Sequence, residues 1–331
     1  MPAHQSPHLV IPFSSCSGDA WRPTMKALPA NSLENLDKLL LGMKLVETDT
    51  GNAHSLSTAH ERVLAKATGL TGGNAIVDGL IPWAAWEAAK GLDTAAMTQK
   101  AWGFITPCHW AMGREHAVMT DPAALAMTPD ESRSLLAAMQ PYFETEGITL
   151  NYLTPERWLA EGEVFRSLPT ASLDRVLGRN VDMWLPSSRP IKLLQNEMQM
   201  LLYTHPLNDE RSAKRLRSIN SFWLSGTGAL AQALPISQTT SQASQAELIV
   251  PRTLAQAAFN DDWIAYAQAW EQLNAREIAQ LIARQKNGDA VRLTLCGESN
   301  AQTFETVPKS LFSRISSIFS PKPSLILLEQ L

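Results

Sequence analysis

Short apolar runs of strand length, separated by segments whose apolar residues recur at helical spacing, constrain this 331-residue chain more than any single motif. Residues 8–13 (HLVIPF) form an apolar run closed by Ser14 and Ser15, the pattern of a buried first strand. Residues 149–152, 219–224 and 291–295 read as further strands. Between them lie helix patterns. Residues 31–41 place Leu33, Leu36, Leu39 and Leu40 on one face behind Ser32, and residues 57–70 open with a Thr58-x-x-Glu61 capping box and stop at Gly69. Residues 78–90 carry Trp83 and Trp86 on an apolar face, and residues 128–143 are helical. Thr154 with Pro155 starts a short helix through Trp158. Residues 190–203 bury Leu193, Leu194, Met198, Leu201 and Leu202 and expose Gln195 and Gln199. Residues 254–284 align Trp263, Tyr266, Trp270 and Leu273. Strands separated by helices predict an α/β fold, with a mostly parallel sheet flanked by helices.

Residues 101–188 depart from this alternation. A hairpin over 102–120, turning near Met112-Gly113-Arg114, joins the strand at 149 to predict an inserted α+β subdomain within a single domain spanning 1–331. Residues 232–247 (QALPISQTTSQASQAE) are rich in Gln, Ser and Thr and almost uncharged, which predicts a flexible loop.

Composition narrows the function classes. With 45% apolar and 18% charged residues the chain is globular, and a net charge of −4 argues against a nucleic-acid partner. Three cysteines, odd in number and far apart, fit a reducing compartment. The amino-terminal residues lack a basic stretch leading into an apolar core, so no signal peptide is read. No apolar run reaches about 18 residues, so no membrane partner is expected, and the predicted location is cytoplasmic.

The densest cluster of chemical groups lies between Asn196 and Gly228. Pro206 ends one helix, Asn208 caps the next, and the freed N–H groups favour an anion. Arg211, Lys214, Arg215 and Arg217 add positive charge, and Gly226-Thr227-Gly228 reads as a turn where backbone approaches a ligand. A solvated basic face, with His205 as a structural histidine, is the plainer alternative. The spacing is not that of a P-loop. Elsewhere, Cys108-His109 and Glu115-His116 face each other across the predicted hairpin, a grouping that holds a metal or activates a thiolate. A hairpin core built on Trp102, Phe104 and Trp110, with Cys108 as a small hydrophobe, accounts for the same residues. Cys296 has the same two readings, nucleophile or buried thiol.

The pattern His205-Pro206-x-Asn208-x-x-Arg211, followed by Asn220-x-x-Trp223-x-x-Gly226-x-Gly228, resembles the middle of archaeal-type cofactor-independent phosphoglycerate mutases of the alkaline phosphatase superfamily. With DGLIPWAAW at 78–86, ITPCHW at 105–110 and LTLCGE at 293–298, the chain is similar nearly end to end to a bacterial group called regulatory protein, RpfE type. The resemblance implies an alkaline-phosphatase-like sheet. It also implies two metal ions held by Asp and His and a Ser or Thr nucleophile at a helix start. The sequence departs at the expected ligand positions: Ser14, Ser15 and Cys16 follow the first strand, and Cys296-Gly297-Glu298 follow the last. The nucleophile position falls at Ser57 or Thr58, which a plain helix cap explains equally.

The expectation is therefore a phosphomutase-derived regulatory or ligand-binding protein. It would hold a phosphorylated or anionic small molecule through His205, Asn208, Arg211, Asn220, Gly226 and Gly228, with no resident cofactor. One alternative is an active phosphoglycerate mutase or phosphatase using Mn or Zn. Its catalytic candidates are Ser57, Thr58, Cys108 and His109, and its metal candidates are His109, His116 and Glu298. Another is a protein-interaction module whose partner meets the 232–247 loop and the helix near Trp270.

Overall fold

Leu9, Val10 and Ile11 are fully buried, because both faces of the first strand are covered. In the computed structural model, described here for residues 6–70, 77–90, 100–113, 116–230, 247–307 and 324–331, that strand is β1 (His8–Ile11). It runs parallel to β9 (Leu248–Ile249) on one side and β10 (Arg292–Cys296) on the other. Next to β10, β11 (Ala301–Thr306) and then β2 (Met43–Asp49) add antiparallel, completing a five-stranded sheet ordered β2-β11-β10-β1-β9.

This sheet belongs to the first of two compact units, residues 1–54, 59–64 and 242–331; the second comprises 55–58 and 65–241. On one face of the sheet Leu9, Ile11, Leu293 and Leu295 pack under α1 (Trp21–Ala27), α2 (Glu34–Leu40), α10 (Trp263–Ala275), α11 (Glu277–Lys286) and α12 (Ser324–Leu328). Val10, Cys296 and Ala301 meet Ala59 and Val63 of α3 (Ala59–Ala67) on the other. The helical run expected over 254–284 is three helices, α9 (Thr253–Phe259) preceding α10 and α11. Trp270 and Tyr266 are fully buried in this core, while Trp263 is half-buried. Residues 232–246 of the expected loop lie outside the described residues.

The second unit is built on an antiparallel sheet ordered β6-β7-β3-β8: β6 (Thr149–Thr154), β7 (Arg157–Glu161), β3 (Trp102–Cys108) and β8 (Ser221–Gly228). One face carries Ile105, Trp158, Phe222 and Leu224. Onto these pack Leu135, Met139 and Phe143 of α5 (Pro129–Thr145) and Leu194, Met198 and Leu202 of α7 (Arg189–Tyr203). The other face receives α4 (Trp83–Ala88), whose Ala84, Ala85 and Ala88 let it lie close to Trp102 and Phe104. A small hairpin of β4 (Trp110–Met112) and β5 (Ala117–Met119), the short α6 (Leu173–Val176) and α8 (Pro206–Ala213) complete the unit.

Several expectations are corrected by this sheet. The segment after Thr154 is not a helix: Thr154 pairs with Arg157 across a tight turn, and Trp158 is a fully buried strand residue whose indole donates to Ser132 Oγ at 2.9 Å. The hairpin expected over 102–120 shrinks to β4 and β5, because β3 pairs with β7 and β8 instead. Gly226-Thr227-Gly228 is not a turn after a strand but the end of β8 itself. β8 lies antiparallel to β3 rather than among the parallel strands. The residues expected to form the insertion, 101–188, fall inside the second unit, which also contains α7, α8 and β8. On α7 the phase differs as well: Gln195 is buried and donates to the Phe222 carbonyl at 3.4 Å, while Leu193 is 51% exposed.

Candidate functional site

The motif from His205 to Gly228 proves to be a set of backbone clamps. His205 caps α8, its Nδ1 accepting from the Leu207 N–H at 3.2 Å. Asn208 donates from Nδ2 to the carbonyls of Leu202 (2.7 Å) and Ile219 (2.8 Å), and its Oδ1 accepts from the Ile219 N–H at 2.8 Å. It thereby ties the end of α7 to the approach of β8. Asn220 grips Trp110 in the same two-sided way, accepting its N–H at 2.8 Å and donating to its carbonyl at 3.0 Å. Arg211 is fully buried. Its guanidinium donates to both oxygens of Glu131 at 3.0 Å, to the Arg217 carbonyl at 2.7 Å and to the Leu125 carbonyl at 2.6 Å.

These contacts correct the expectation of an anion site. A buried guanidinium already paired with a carboxylate has no open face for a soluble anion, and both asparagine amides hold backbone. Gly226 and Gly228 follow suit. Gly226 has φ +63° and lies where a Cβ would come 3.0 Å from Phe104 and 3.2 Å from Trp83, and Gly228 packs on Pro82. What they approach is protein. Only Lys214, Arg215 and Arg217 of the basic run are exposed, and Arg217 donates to Thr120 Oγ1 at 3.1 Å.

The catalytic and metal candidates are dispersed. Cys108 is fully buried, and burial pushes its thiol well above the ordinary range, so no thiolate forms there. His109 Nδ1 lies 2.9 Å from the Ser218 carbonyl and His116 is exposed, while Glu115 lies outside the described residues. Ser57 and Thr58 are buried just before α3. The Ser57 Oγ accepts from the Gly79 N–H at 2.9 Å, and Asp78 accepts from the Leu56 and Ser57 N–H groups at 2.7 and 2.8 Å.

A second locus emerges in the first unit, at the carboxyl ends of β1 and β10. Phe13 ends the run of β1 in a left-handed conformation, φ +53°, uncommon for an aromatic residue. Three hydrogen bonds hold that turn: Tyr266 Oη donates to the Phe13 carbonyl at 2.7 Å, and Ser14 donates from N and Oγ to the Cys296 carbonyl at 2.7 and 2.9 Å. Burial pushes the Tyr266 phenol well above its ordinary range, so it remains a donor. Cys16 Sγ points back to the Phe13 carbonyl at 3.9 Å, and Ser17 donates from N and Oγ to Glu298 at 3.2 and 2.9 Å.

Charged groups border this turn. The His60 ring lies 5.8 Å from that of Phe13, and its Nε2 is 3.4 Å from a guanidinium nitrogen of the half-buried Arg252. Arg62, buried, donates to Asp49 through Nε at 2.7 Å and Nη2 at 2.6 Å, and its Nη2 also reaches the Ser299 carbonyl at 2.6 Å. Cys296 is fully buried, its thiol pushed above the ordinary range first by burial and then by the Asp49 charge. The locus thus combines hydroxyls, one half-buried thiol and guanidinium groups, with its carboxylates already paired. His60, Arg252, Asp49 and Arg62 carried no motif signal; only position at strand or helix ends could have singled them out.

The donor set does not fit a two-metal centre. Asp49 faces Arg62, Glu298 faces Ser17 and His60 faces Arg252. Among the described residues no three of His, Cys, Asp and Glu gather where they could hold a metal. Among the described residues, too, no helix is long and apolar enough to cross a membrane.

Comparisons with known proteins add little weight. No protein-family profile matches the chain, and no curated protein matches it. Among solved structures, a cofactor-independent phosphoglycerate mutase from Thermoplasma acidophilum DSM 1728 aligns with 98% of this chain and 99% of its own, at 11% identity and a TM-score of 0.34. The PH0037 protein from Pyrococcus horikoshii aligns with 91% of this chain and 87% of its own, at 12% identity and a TM-score of 0.42. Similarity at this level carries no argument about activity.

Proposed function

We propose that this chain is a phosphomutase-derived regulatory or ligand-binding protein of the cytoplasm that holds a phosphorylated or otherwise anionic small molecule. The binding locus in this reading is the strand-end turn of the first unit: Ser15, Cys16, Ser17, His60 and Arg252. The observation that carries it is chemical. At the carboxyl ends of the parallel strands, where α/β sheets bind ligands, this chain presents hydroxyls and a guanidinium, and its carboxylates are already neutralised by Arg62 or hydrogen-bonded to Ser17. That set suits the oxygens of a phosphate or carboxylate.

Calorimetry with inorganic phosphate and with 3-phosphoglycerate tests the reading. Binding to the wild-type chain that weakens at least tenfold in Arg252→Ala, with the melting temperature unchanged, is the expected result. Absence of binding by either anion at millimolar concentration sinks it. The enzyme alternative predicts instead that added Mn or Zn confers hydrolysis of a generic phosphate ester and that a chelator abolishes it.

A further inference from the structure

The outer face of α7 is unusual for a helix at a protein surface. Ile191, Leu194, Gln195, Met198 and Leu202 point into the core. At 3.6 residues per turn, Arg189, Lys192, Leu193, Asn196, Glu197, Met200 and Tyr203 then share the outer face. Such a face is normally polar, yet Leu193 is 51% exposed, Met200 71% and Tyr203 84%. Scattered exposed apolar residues need no explanation. Three aligned along about 15 Å of one helix, at 1.5 Å per residue, do.

The charges on α7 point to what covers it. Arg189 and Lys192 sit at its amino-terminal end, where no acidic residue lies in the first turn, and no basic residue lies in the last. That arrangement opposes the helix's own dipole, which favours anions at the amino end and cations at the carboxyl end. An antiparallel neighbour of identical sequence reverses the conflict. Each copy's Arg189 and Lys192 come beside the other's carboxyl-terminal carbonyls, and Leu193 faces Tyr203 of the second copy across an axis near Met198. A parallel pair would stack Arg189, Lys192 and Glu197 each on its like, whereas the antiparallel pair brings only the two Glu197 side chains near each other.

We infer that the exposed stripe of α7 is a self-association surface on which a second copy of this chain packs antiparallel, through Leu193, Met200 and Tyr203. A single helix face lies at the small end of stable interfaces, so the dimer is concentration-dependent. The inference is independent of the proposed ligand.

Sedimentation of the full chain from about 1 to 200 μM, the range in which small interfaces dissociate, provides the first test. A monomer–dimer equilibrium is expected, weakened at least tenfold by Met200→Glu or Tyr203→Glu, with the urea midpoint of the dilute, monomeric chain unchanged because both side chains are exposed. Oxidative crosslinking in a Cys16→Ser background tests the geometry. A mixture of Leu193→Cys and Tyr203→Cys chains should crosslink, and neither alone should. A wild-type chain that stays monomeric throughout overturns the inference, as does a dimer indifferent to both glutamates or crosslinking of either cysteine variant with itself.

Discussion

Replacing Arg211 with alanine distinguishes a structural clamp from a ligand group. The arginine side chain is fully buried and that of Glu131 is 13% exposed. Removing one member of a buried pair costs about 3–5 kcal/mol, and the slight exposure of Glu131 draws the charge contribution toward the lower end. The carbonyls of Leu125 and Arg217 lose their donors as well, at about 1 kcal/mol or more each. The expected loss is about 5 kcal/mol. For a unit of this size that corresponds to ~10–20 °C in Tm, at about 2–4 °C per kcal/mol. Urea unfolding followed by tryptophan fluorescence reads the loss, and the same protein is titrated with phosphate. A variant within about 1 kcal/mol of wild type that no longer binds phosphate refutes the clamp. The pH dependence gives a second check. Burial alone would raise the Glu131 carboxyl, but the Thr128 N–H and the Arg211 charge outweigh it and hold Glu131 below its ordinary 4.5. With the folded value depressed, this stabilisation is complete above pH 4.5 and is lost as pH falls through the folded value, so Arg211→Ala should flatten the acid limb.

Two further outcomes follow from buried titratable groups. His8, 3% exposed and 2.8 Å from Thr294 Oγ1, is drawn from 6.5 down to about 4, by burial first and then by the Arg292 charge, against an opposing pull from Glu47. A folded value below the unfolded one means stability declines as pH falls from 6.5 towards 4, by roughly 3 kcal/mol at 1.36 kcal/mol per unit. His8→Gln should flatten that interval in denaturant titrations; an unchanged slope would show that His8 titrates normally. Cys108 and Cys296 are fully buried with raised thiols, whereas Cys16 is half-buried. A thiol reagent should therefore modify Cys16 alone in the folded protein and all three in urea, and rapid modification of a second thiol would contradict the packing.

Elements whose signals are local were legible in the sequence. The helix expected over 128–143 is α5, and a capping box between Thr128 and Glu131 closes in both directions at its start. The first strand was legible because both its faces are apolar. The phase of α7 was not, because the leucine pairs 193–194 and 201–202 permit two rotations. The one realised turns Gln195 toward the Phe222 carbonyl. The hairpin at 155–156 was masked by Thr-Pro, which opens a helix as readily as a turn. The site was misread for a related reason: His, Asn and Arg bind backbone carbonyls with the same donors they offer to phosphate. Whether Arg211 meets an anion or Glu131 depends on a residue 80 positions away.

The position of β1 has a consequence for how the chain is made. Its sheet neighbours are β9 and β10, and His8 bonds to a threonine 286 residues further along. At ~5–20 residues per second, a ribosome needs on the order of 15–60 s to deliver that partner. For most of that interval Leu9, Val10 and Ile11 lack the strands that sheathe them, whereas residues 65–241 emerge as one run and contain all four strands of the other sheet. β1 is thus made long before either strand that sheathes it, and chaperone demand during translation should concentrate on residues 8–11.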